Sequence, residues 1–254
     1  MKVDFSHPFF DECLWYTKLS STTTQVLSLI KENAVNGNVL VIADQQLNGR
    51  GRNNLTWISP TGGIWMTAAL YNLNQLNCIT LFIGNCIFKA LIEMYPEIGE
   101  SLYLKWPNDI MLGDKKIAGI LSENYPSLSY TLIGIGIDTN IDSMPSDIQD
   151  FSTSLLIFLH KETDNKALIT SIYNYLLNEL PLILENHTNS TIQFHNEHSF
   201  LKNKKIEINT DFGSYTGYFS HVNYEGAIVL NMPGGIKQPF FSGSVRIIRE
   251  DGNV

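Results

Sequence analysis

Four short segments of the chain carry side chains that could act on an anionic substrate. The first is Gly49-Arg50-Gly51-Arg52, in which two glycines alternate with two arginines. Glycine lets the backbone approach a ligand closely, and arginine offers planar donors to a phosphate or a carboxylate. A loop that folds over an anion would use both residue types. A flexible solvated loop is the alternative interpretation of this segment on its own.

The second segment is Lys105-Trp106-Pro107-Asn108-Asp109. Pro107 favours an extended Trp106, and Asn-Asp is typical of a turn. Asp109 could hold a Mg²⁺ ion that is bound to a phosphate, because this cation prefers carboxylate oxygens. A decorated hairpin turn would explain the Asn-Asp pair, but it would not explain the Lys-Trp pair before it.

Two further segments combine glycine with charged side chains. Lys116 enters an otherwise apolar run, and Gly119 follows at a spacing that places a glycine inside a strand, where a ligand can approach. By itself, Lys116 also reads as a solvated strand end. Gly134 and Gly136 lead into Asp138 and could open the floor of a pocket. They are not a dinucleotide-binding fingerprint, because the third glycine and the following helix are missing.

The elements that must position these segments mix helices and strands. Residues 22–35 are predicted to form a helix, residues 39–43 a buried strand, and residues 44–62 a long functional loop without periodicity. The remaining predicted elements are a strand at 64–71, a helix at 76–95, strands at 102–105, 110–112, 116–123 and 130–137, a helix at 166–185 and a shorter helix at 190–200.

The character of the chain changes after residue 203. Short strands are predicted at 205–209, 215–222, 227–231, 235–240 and 244–249, with glycines between or near them, and this pattern favours a small barrel. We therefore expect an α+β protein with two domains, residues 1–203 and residues 204–254.

Composition excludes several functional classes. The net charge is −8, which disfavours a nucleic-acid partner. Three cysteines without a CxxC pair argue against a disulfide framework or a zinc site. Neither a secretory signal nor an apolar run long enough for a bilayer stands out, so we expect a cytoplasmic protein that has no membrane partner.

Taken together and in this order, the segments resemble the biotin–protein ligases, also called biotin–[acetyl-CoA-carboxylase] ligases. The shared pattern is GRGR, then Trp57 with Ser59-Pro60, then KWPND, then K-x-A-G-I-L-x-E from Lys116, then GxGI. The resemblance covers residues from about 15 to 140. It implies a mixed sheet flanked by helices, as in class II synthetases, followed by a small SH3-like barrel.

The resemblance also implies a set of site residues. Lys116 and Arg52 correspond to the catalytic residues of the family. Thr23 stands where the family usually has asparagine. The implied biotin site comprises Ser21, Thr22, Thr23, Gln46, Gly49, Arg50, Arg52, Lys116, Gly119 and Gly134.

The implied nucleotide site contains a second departure from the family. Asp138 replaces an asparagine, and Asn140 is the candidate to compensate for that change. The implied nucleotide-binding residues are Arg52, Trp57, Asn108, Asp109, Asp138 and Asn140, with Asp109 also the candidate Mg²⁺ ligand.

By resemblance, biotin and ATP with Mg²⁺ are substrates, and no tightly bound prosthetic group is expected. The product is biotinyl-5′-adenylate, from which biotin passes to a lysine of a biotin carboxyl carrier protein domain. The matched region begins near Met1, so we expect no DNA-binding module and no DNA partner. A homodimer and a monomer both stay open.

Three alternatives remain. A lipoate– or octanoate–protein ligase would share the fold and the adenylate chemistry. A non-catalytic module that captures biotin would need the pocket but not the charged residues. His195 and His198 beside Glu197 have a spacing that could bind zinc on a helix, although no third ligand is evident.

Overall fold

The computed structural model describes residues 4–73, 78–185 and 188–248. The strands are β1 (Glu12–Tyr16), β2 (Val39–Ala43), β3 (Gln46–Arg50), β4 (Thr56–Ser59), β5 (Ile64–Tyr71), β6 (Leu102–Lys105), β7 (Asp109–Leu112), β8 (Lys115–Tyr125), β9 (Tyr130–Ile137), β10 (Lys205–Thr210), β11 (Gly213–Val222), β12 (Ile228–Asn231), β13 (Lys237–Phe240) and β14 (Ser244–Ile247). The helices are α1 (Thr22–Lys31), α2 (Ile79–Met94), α3 (Leu155–Leu159), α4 (Asn165–Leu184) and α5 (Thr188–Glu197).

The strands form two large sheets and a hairpin. A mixed sheet of seven strands runs in the order β1-β2-β5-β9-β8-β7-β6, in which β1 and β2 are parallel and the other pairs are antiparallel. The second sheet has five antiparallel strands in the order β13-β12-β11-β10-β14, and β3 pairs with β4 alone. This architecture confirms the predicted fold class.

Apolar residues on both faces of the central strands hold the large sheet between helices. All five residues of β2 are buried, which explains why that strand lacks an alternating pattern. On one face α2 and α4 pack over Leu40, Ile133 and Ile135, and on the other face α1 covers Val41 and other apolar residues. The sheet is therefore a rigid base for side chains at its strand ends.

Most predicted elements are present with small differences. The strands at 39–43, 64–71 and 130–137 have the predicted bounds, whereas α1 ends at Lys31 instead of residue 35. Strand β1 and the short helix α3 had not been predicted. Leu76, Asn186 and Arg249, at the predicted ends of three elements, lie outside the described residues.

The prediction that residues 44–62 form an aperiodic loop was wrong. Strands β3 and β4 form a hairpin in this segment, with a register shift between Gln46 and Gly49. Its two strands are short and mostly polar, with Leu47, Trp57 and Ile58 as their large apolar residues, so no apolar alternation marked the hairpin in the sequence. The backbone also bonds to the preceding segment, where Leu47 donates to the Leu19 carbonyl at 3.0 Å.

Helix α4 is long and apolar enough, by length and composition alone, to cross a membrane. Its residues Leu168, Ile172 and Tyr173 are buried in the main core. Glu179 on the same helix lies 2.7 Å from the ammonium of Lys89 on α2. Packing against α2 therefore accounts for the apolar character of this helix.

The C-terminal sheet shares an apolar cluster with the rest of the chain. Its buried residues include Ile206 and Leu230, and the same cluster contains Leu81, Trp106 and Ile192 from the preceding elements. The indole nitrogen of Trp106 also donates to the Gly226 carbonyl at 2.9 Å. Side chains from both sides of residue 203 pack together in this cluster. The domain boundary at that residue stays a prediction.

The zinc interpretation of His195 and His198 finds no support. In the described part of the chain, no group of three His, Cys, Asp or Glu side chains could hold a metal ion. His195 is 2% exposed, with neither ring nitrogen hydrogen-bonded. Its burial lowers its pKa to about 4.

Replacing His195 with phenylalanine is expected to reduce sensitivity to acid. The unfolded chain binds a proton at His195 below about pH 6.5 and the folded chain only below about pH 4, so this histidine costs stability as pH falls through that window. Relative to the wild type, His195→Phe should gain about 3 kcal/mol between pH 6.5 and pH 4. Urea unfolding across this range measures the difference, and parallel pH profiles would contradict the prediction.

Candidate functional site

A cavity of about 1340 Å³ lies among the large sheet, the β3–β4 hairpin and the C-terminal sheet. Most of the site residues predicted from sequence line it. They are Ser21, Thr22, Thr23, Gln46, Arg50, Arg52, Trp57, Asn108, Asp109, Lys116, Gly119, Gly134 and Asp138. The structure therefore brings together residues that are separated by more than a hundred positions in sequence.

Hydroxyl and amide groups form a network at one end of the cavity. The Thr22 backbone N–H and hydroxyl both donate to the side-chain oxygen of Gln46, at 2.8 and 3.0 Å. The hydroxyls of Thr22 and Thr23 lie 2.8 and 3.0 Å from that of Thr67 on β5. Gln46 in turn donates to the Ser59 hydroxyl at 2.9 Å. These groups can orient a small polar ring.

The walls next to this network are apolar. A β-carbon added to Gly134 on β9 would lie 3.6 Å from the Thr23 hydroxyl, so the glycine keeps open the space beside the network. Ser21 precedes α1 and makes no side-chain capping bond. The apolar lining comes from Met66, Ile120, Leu121 and Ile135. This end of the cavity suits a compact ligand with an apolar body and a polar head.

Two glycines on adjacent strands let Trp57 lie close to the sheet. A β-carbon at Gly136 would lie 2.5 Å from the indole nitrogen, and one at Gly119 would lie 2.8 Å from the ring. Within the described residues, that buried nitrogen has no hydrogen-bond partner. The Lys116 ammonium lies 4.8 Å from the centre of the indole ring. Trp57 therefore offers the cavity an aromatic face beside a cation.

Positive groups converge beyond Trp57. The Lys116 ammonium lies 2.6 Å from the Asp109 carboxylate. Arg52 donates to the side-chain oxygen of Asn108 at 3.3 Å and to the Gly243 carbonyl at 3.0 Å. Burial lowers the pKa of Arg52, and the Asp109 charge partly offsets that effect. Lys116 is the cation paired with Asp109, and Arg52 forms no ion pair in the described residues, so the two cations can accept a further anion.

The Asp109 carboxylate suits a Mg²⁺ ion carried by a nucleotide. Such an ion keeps water and phosphate oxygens as most of its ligands and takes only one or two protein carboxylates. Asp109 supplies one carboxylate, and the neighbouring Asn108 supplies an amide oxygen. The donor set therefore fits a metal that arrives with its substrate rather than one held by the protein alone.

Asp138 is a buried carboxyl group in the same cavity. It is 5% exposed, and burial raises its pKa to about 8, against the opposing influence of Lys116. The folded chain therefore keeps a proton that the unfolded chain releases above about pH 4. In its neutral form this carboxyl can donate one hydrogen bond, as would the asparagine that stands at this position in the family described above.

Asp138→Asn is expected to flatten part of the pH dependence of stability. The wild type should lose about 1.4 kcal/mol per pH unit at this site as pH rises from 4 to 8, because only its unfolded state has released the proton. The amide variant should show no such loss. Chemical unfolding at several pH values measures the difference, and a constant offset between the two proteins would contradict it.

Comparison with known proteins identifies a family that is similar in sequence to this part of the chain. The model of the biotin/lipoate A/B protein ligase family matches residues 15–140. The chain belongs to this family. The matched region contains the hydroxyl network, the hairpin, Lys116 and the glycines of β8 and β9.

Two curated relatives illustrate the similarity. The bifunctional ligase/repressor BirA of Bacillus subtilis is 33% identical over 168 residues, which are 63% of this chain and 50% of that protein. The biotin–[acetyl-CoA-carboxylase] ligase of Paracoccus denitrificans is 30% identical over 130 residues, 48% of this chain and 52% of that protein. The chain thus spans about half the length of the curated relatives it matches.

Solved structures show the same fold over nearly the whole chain. The biotin protein ligase from Aquifex aeolicus in complex with biotin and ATP superposes with a TM-score of 0.83. It is 24% identical, and the match covers 95% of this chain and all of that one. At this level of identity the likeness establishes the fold, including the five-stranded C-terminal sheet.

Two predicted site residues do not face the cavity. Gly49 lies in the hairpin, where a β-carbon would come within 2.4 Å of the Trp57 carbonyl, so its glycine serves strand packing. Asn140 uses its side chain to bond the Thr163 backbone, donating to the carbonyl at 2.9 Å and accepting from the N–H at 2.7 Å. Neither residue lines the cavity, and their contacts with ligands stay a prediction.

Several residues that line the cavity had not been predicted from the sequence. Lys105 opens the KWPND motif, yet it was given no role from sequence. The others lie on the loop before α3 and in the C-terminal region, and only the packing of the two sheets brings them to the cavity. They include Asp147, Asp150, Phe151, Phe200, Lys204, Ser244 and Arg246.

Proposed function

We propose that this chain activates biotin with ATP to form biotinyl-5′-adenylate and then transfers biotin to a lysine of a biotin carboxyl carrier protein domain. One observation carries the proposal: a single cavity joins a hydroxyl-lined apolar pocket to the cationic centre at Lys116 and Arg52. Family membership and the relatives described as biotin ligases support this assignment.

The shape and polarity of the pocket support an orientation for biotin. The ring that carries its polar ureido group would bind the network of Thr22, Thr23 and Gln46, with Ser21 beside it. The aliphatic tail would lie over Gly134 and beside the Trp57 ring that covers Gly119, with its carboxylate directed toward Lys116. We propose that Trp57, Asn108 and Asp138 contact the nucleotide and that Arg50 and Arg52 belong to the hairpin that covers both ligands.

In the first step, an oxygen of the biotin carboxylate attacks the α-phosphorus of ATP. The new P–O bond forms while the bond to the bridging oxygen breaks, and pyrophosphate leaves with that electron pair. Two anions must approach each other, so Lys116 and Arg52 stabilise the charge that builds up between them. Lys116 would exchange its Asp109 partner for substrate, and Asp109 would then be free to hold the Mg²⁺ that accompanies ATP.

In the second step, a neutral lysine amine of the carrier attacks the carbonyl carbon of the mixed anhydride. The amide bond forms, AMP leaves with the electron pair of the broken bond, and the amine proton passes to solvent. Water would destroy the same anhydride, so it must be excluded until the carrier docks. We assign this exclusion of water to the β3–β4 hairpin, residues 46–59.

The direct test incubates the purified chain with biotin, ATP, Mg²⁺ and a carrier domain. Streptavidin should then detect the carrier, and a carrier whose target lysine is changed to arginine should stay unlabelled. Lipoate or octanoate in place of biotin distinguishes the related ligases. Binding of biotin without labelled carrier would favour a non-catalytic module and overturn the proposal.

A further inference from the structure

Two lysines lie at the edge of the cavity beyond the centre formed by Lys116 and Asp109. Lys105 ends β6, the edge strand of the large sheet, and Lys204 lies just before β10. Both line the cavity. Neither has a role in the function proposed above, and each belongs to a different part of the chain.

Backbone pairing brings the two lysines to the same place. The segment that follows α5 runs beside β6, where Leu104 donates to the His198 carbonyl at 2.9 Å and the Phe200 N–H donates to the Leu104 carbonyl at 2.8 Å. The Phe219 N–H then donates to the Lys204 carbonyl at 3.0 Å. Lys204 is therefore anchored by the C-terminal sheet next to the end of β6.

Neither ammonium group forms an ion pair with a carboxylate among the described residues. In the described ranges, no carboxylate oxygen lies within 4.0 Å of the Lys105 or the Lys204 nitrogen. Lys204 instead lies 3.3 Å from the centre of the Phe200 ring. Burial lowers the pKa of both lysines, although the charge of Asp109 opposes this effect at Lys105 and that of Asp114 opposes it at Lys204. The charge of Lys116 lowers the pKa of Lys105 further, and the charge of Lys105 lowers that of Lys204. An anion between them would relieve both costs.

The strand order places this pair on the side of Lys116 that is away from the hydroxyl network. Across the strands β9, β8, β7 and β6, the cavity residues include Gly134, Lys116, Asp109 and Lys105 in that order. Adjacent strands are about 4.8 Å apart, so β6 lies about 10 Å beyond the strand of Lys116. A chain of phosphates that begins at Lys116 and extends away from biotin would point at Lys105 and Lys204.

We propose that Lys105 and Lys204 form a polyphosphate subsite, which binds the β- and γ-phosphates of ATP and then the pyrophosphate leaving group. This inference rests on the proposed function, because it takes the α-phosphorus to lie at Lys116. When the bond between the α-phosphorus and its bridging oxygen breaks, the electron pair and the negative charge move onto pyrophosphate. The two ammonium groups lie where that charge accumulates.

The test measures binding of inorganic pyrophosphate with Mg²⁺ by calorimetry on the full chain. Lys105→Met and Lys204→Met keep most of the aliphatic stem and remove the charge. Each should weaken pyrophosphate binding by roughly tenfold or more, the range expected for a lost charge-assisted hydrogen bond. Lys105→Arg and Lys204→Arg should retain most of the affinity, which shows that charge and not folding is responsible.

A matched control lies two residues away from Lys204. Lys202 is exposed, and its ammonium donates to the Glu197 carbonyl at 2.8 Å, outside the cavity. Lys202→Met should leave pyrophosphate binding unchanged. In steady-state assays the two cavity variants should raise KM for ATP while leaving the affinity for biotin as in the wild type.

The outcomes separate this inference from the function on which it rests. Wild-type affinity for pyrophosphate in both methionine variants, or an equal loss in Lys202→Met, would overturn the subsite. Loss in the two cavity variants with rescue by arginine supports it. If the wild type makes no biotinylated carrier yet shows that pattern, the proposed function fails and a polyphosphate site of this geometry still stands.

Discussion

Lys116→Met is expected to lower the rate of biotinyl-adenylate formation by about 10²–10³-fold or more, while the chain stays folded. The ammonium lies between the aromatic face of Trp57 and the Asp109 carboxylate. No other lysine on β8 can replace it, because Lys115 donates to the Gln149 carbonyl at 2.7 Å instead. Biotin-dependent release of pyrophosphate measures this step directly.

Lys115→Met is the matched control for that experiment. It removes the same charge from the adjacent residue. The Lys115 ammonium makes its hydrogen bond at the solvent-exposed surface, and Lys115 does not line the cavity. Its pyrophosphate release should stay close to that of the wild type. A near-normal rate in Lys116→Met would show that Lys116 has no part in the chemistry.

Arg52→Gly is expected to release the adenylate before the carrier arrives. The guanidinium joins the tip of the hairpin to Asn108 on one side and to the Gly243 carbonyl on the other. Without these bonds the hairpin should open more often, and the escaped anhydride should acylate lysines of any protein nearby. We expect biotin on a bystander protein to rise by about tenfold or more, in line with two lost hydrogen bonds to a charged group.

Streptavidin blots of an unrelated protein that is mixed with the carrier measure this effect. Arg50→Gly provides the comparison, because Arg50 lies on the same hairpin and is exposed. It removes an arginine without breaking the bonds to Asn108 and Gly243, so bystander labelling should rise much less. Labelling that remains confined to the carrier in Arg52→Gly would show that the guanidinium does not hold the hairpin closed.

The elements predicted correctly from the sequence are those whose apolar residues are nearly all buried. Strands β2, β5 and β9 are long apolar runs, and their bounds match the structure. The hairpin escaped prediction because its strands are short and mostly polar and its position depends on backbone bonds to the segment before α1. Strand β1 was missed because it is an edge strand of five residues without alternating burial, paired with β2 on one side.

The motifs identified most cavity residues, because the start of α1, the hairpin and the strands β7, β8 and β9 contribute them. Asn140 does not line the cavity, because the chain leaves β9 after Ile137 and the Asn140 side chain bonds to the Thr163 backbone instead. Lys204 and Arg246 could not be assigned at all. Their place in the cavity depends on how the C-terminal sheet packs, which no local pattern records.

The apolar cluster shared by Trp106, Leu81 and the C-terminal strands has a thermal consequence. Because the same side chains fill both sides of the boundary, heating should not melt the C-terminal strands ahead of the rest. Calorimetry of the intact chain should give one endotherm, and a chain shortened at residue 203 should aggregate through the surface thereby uncovered.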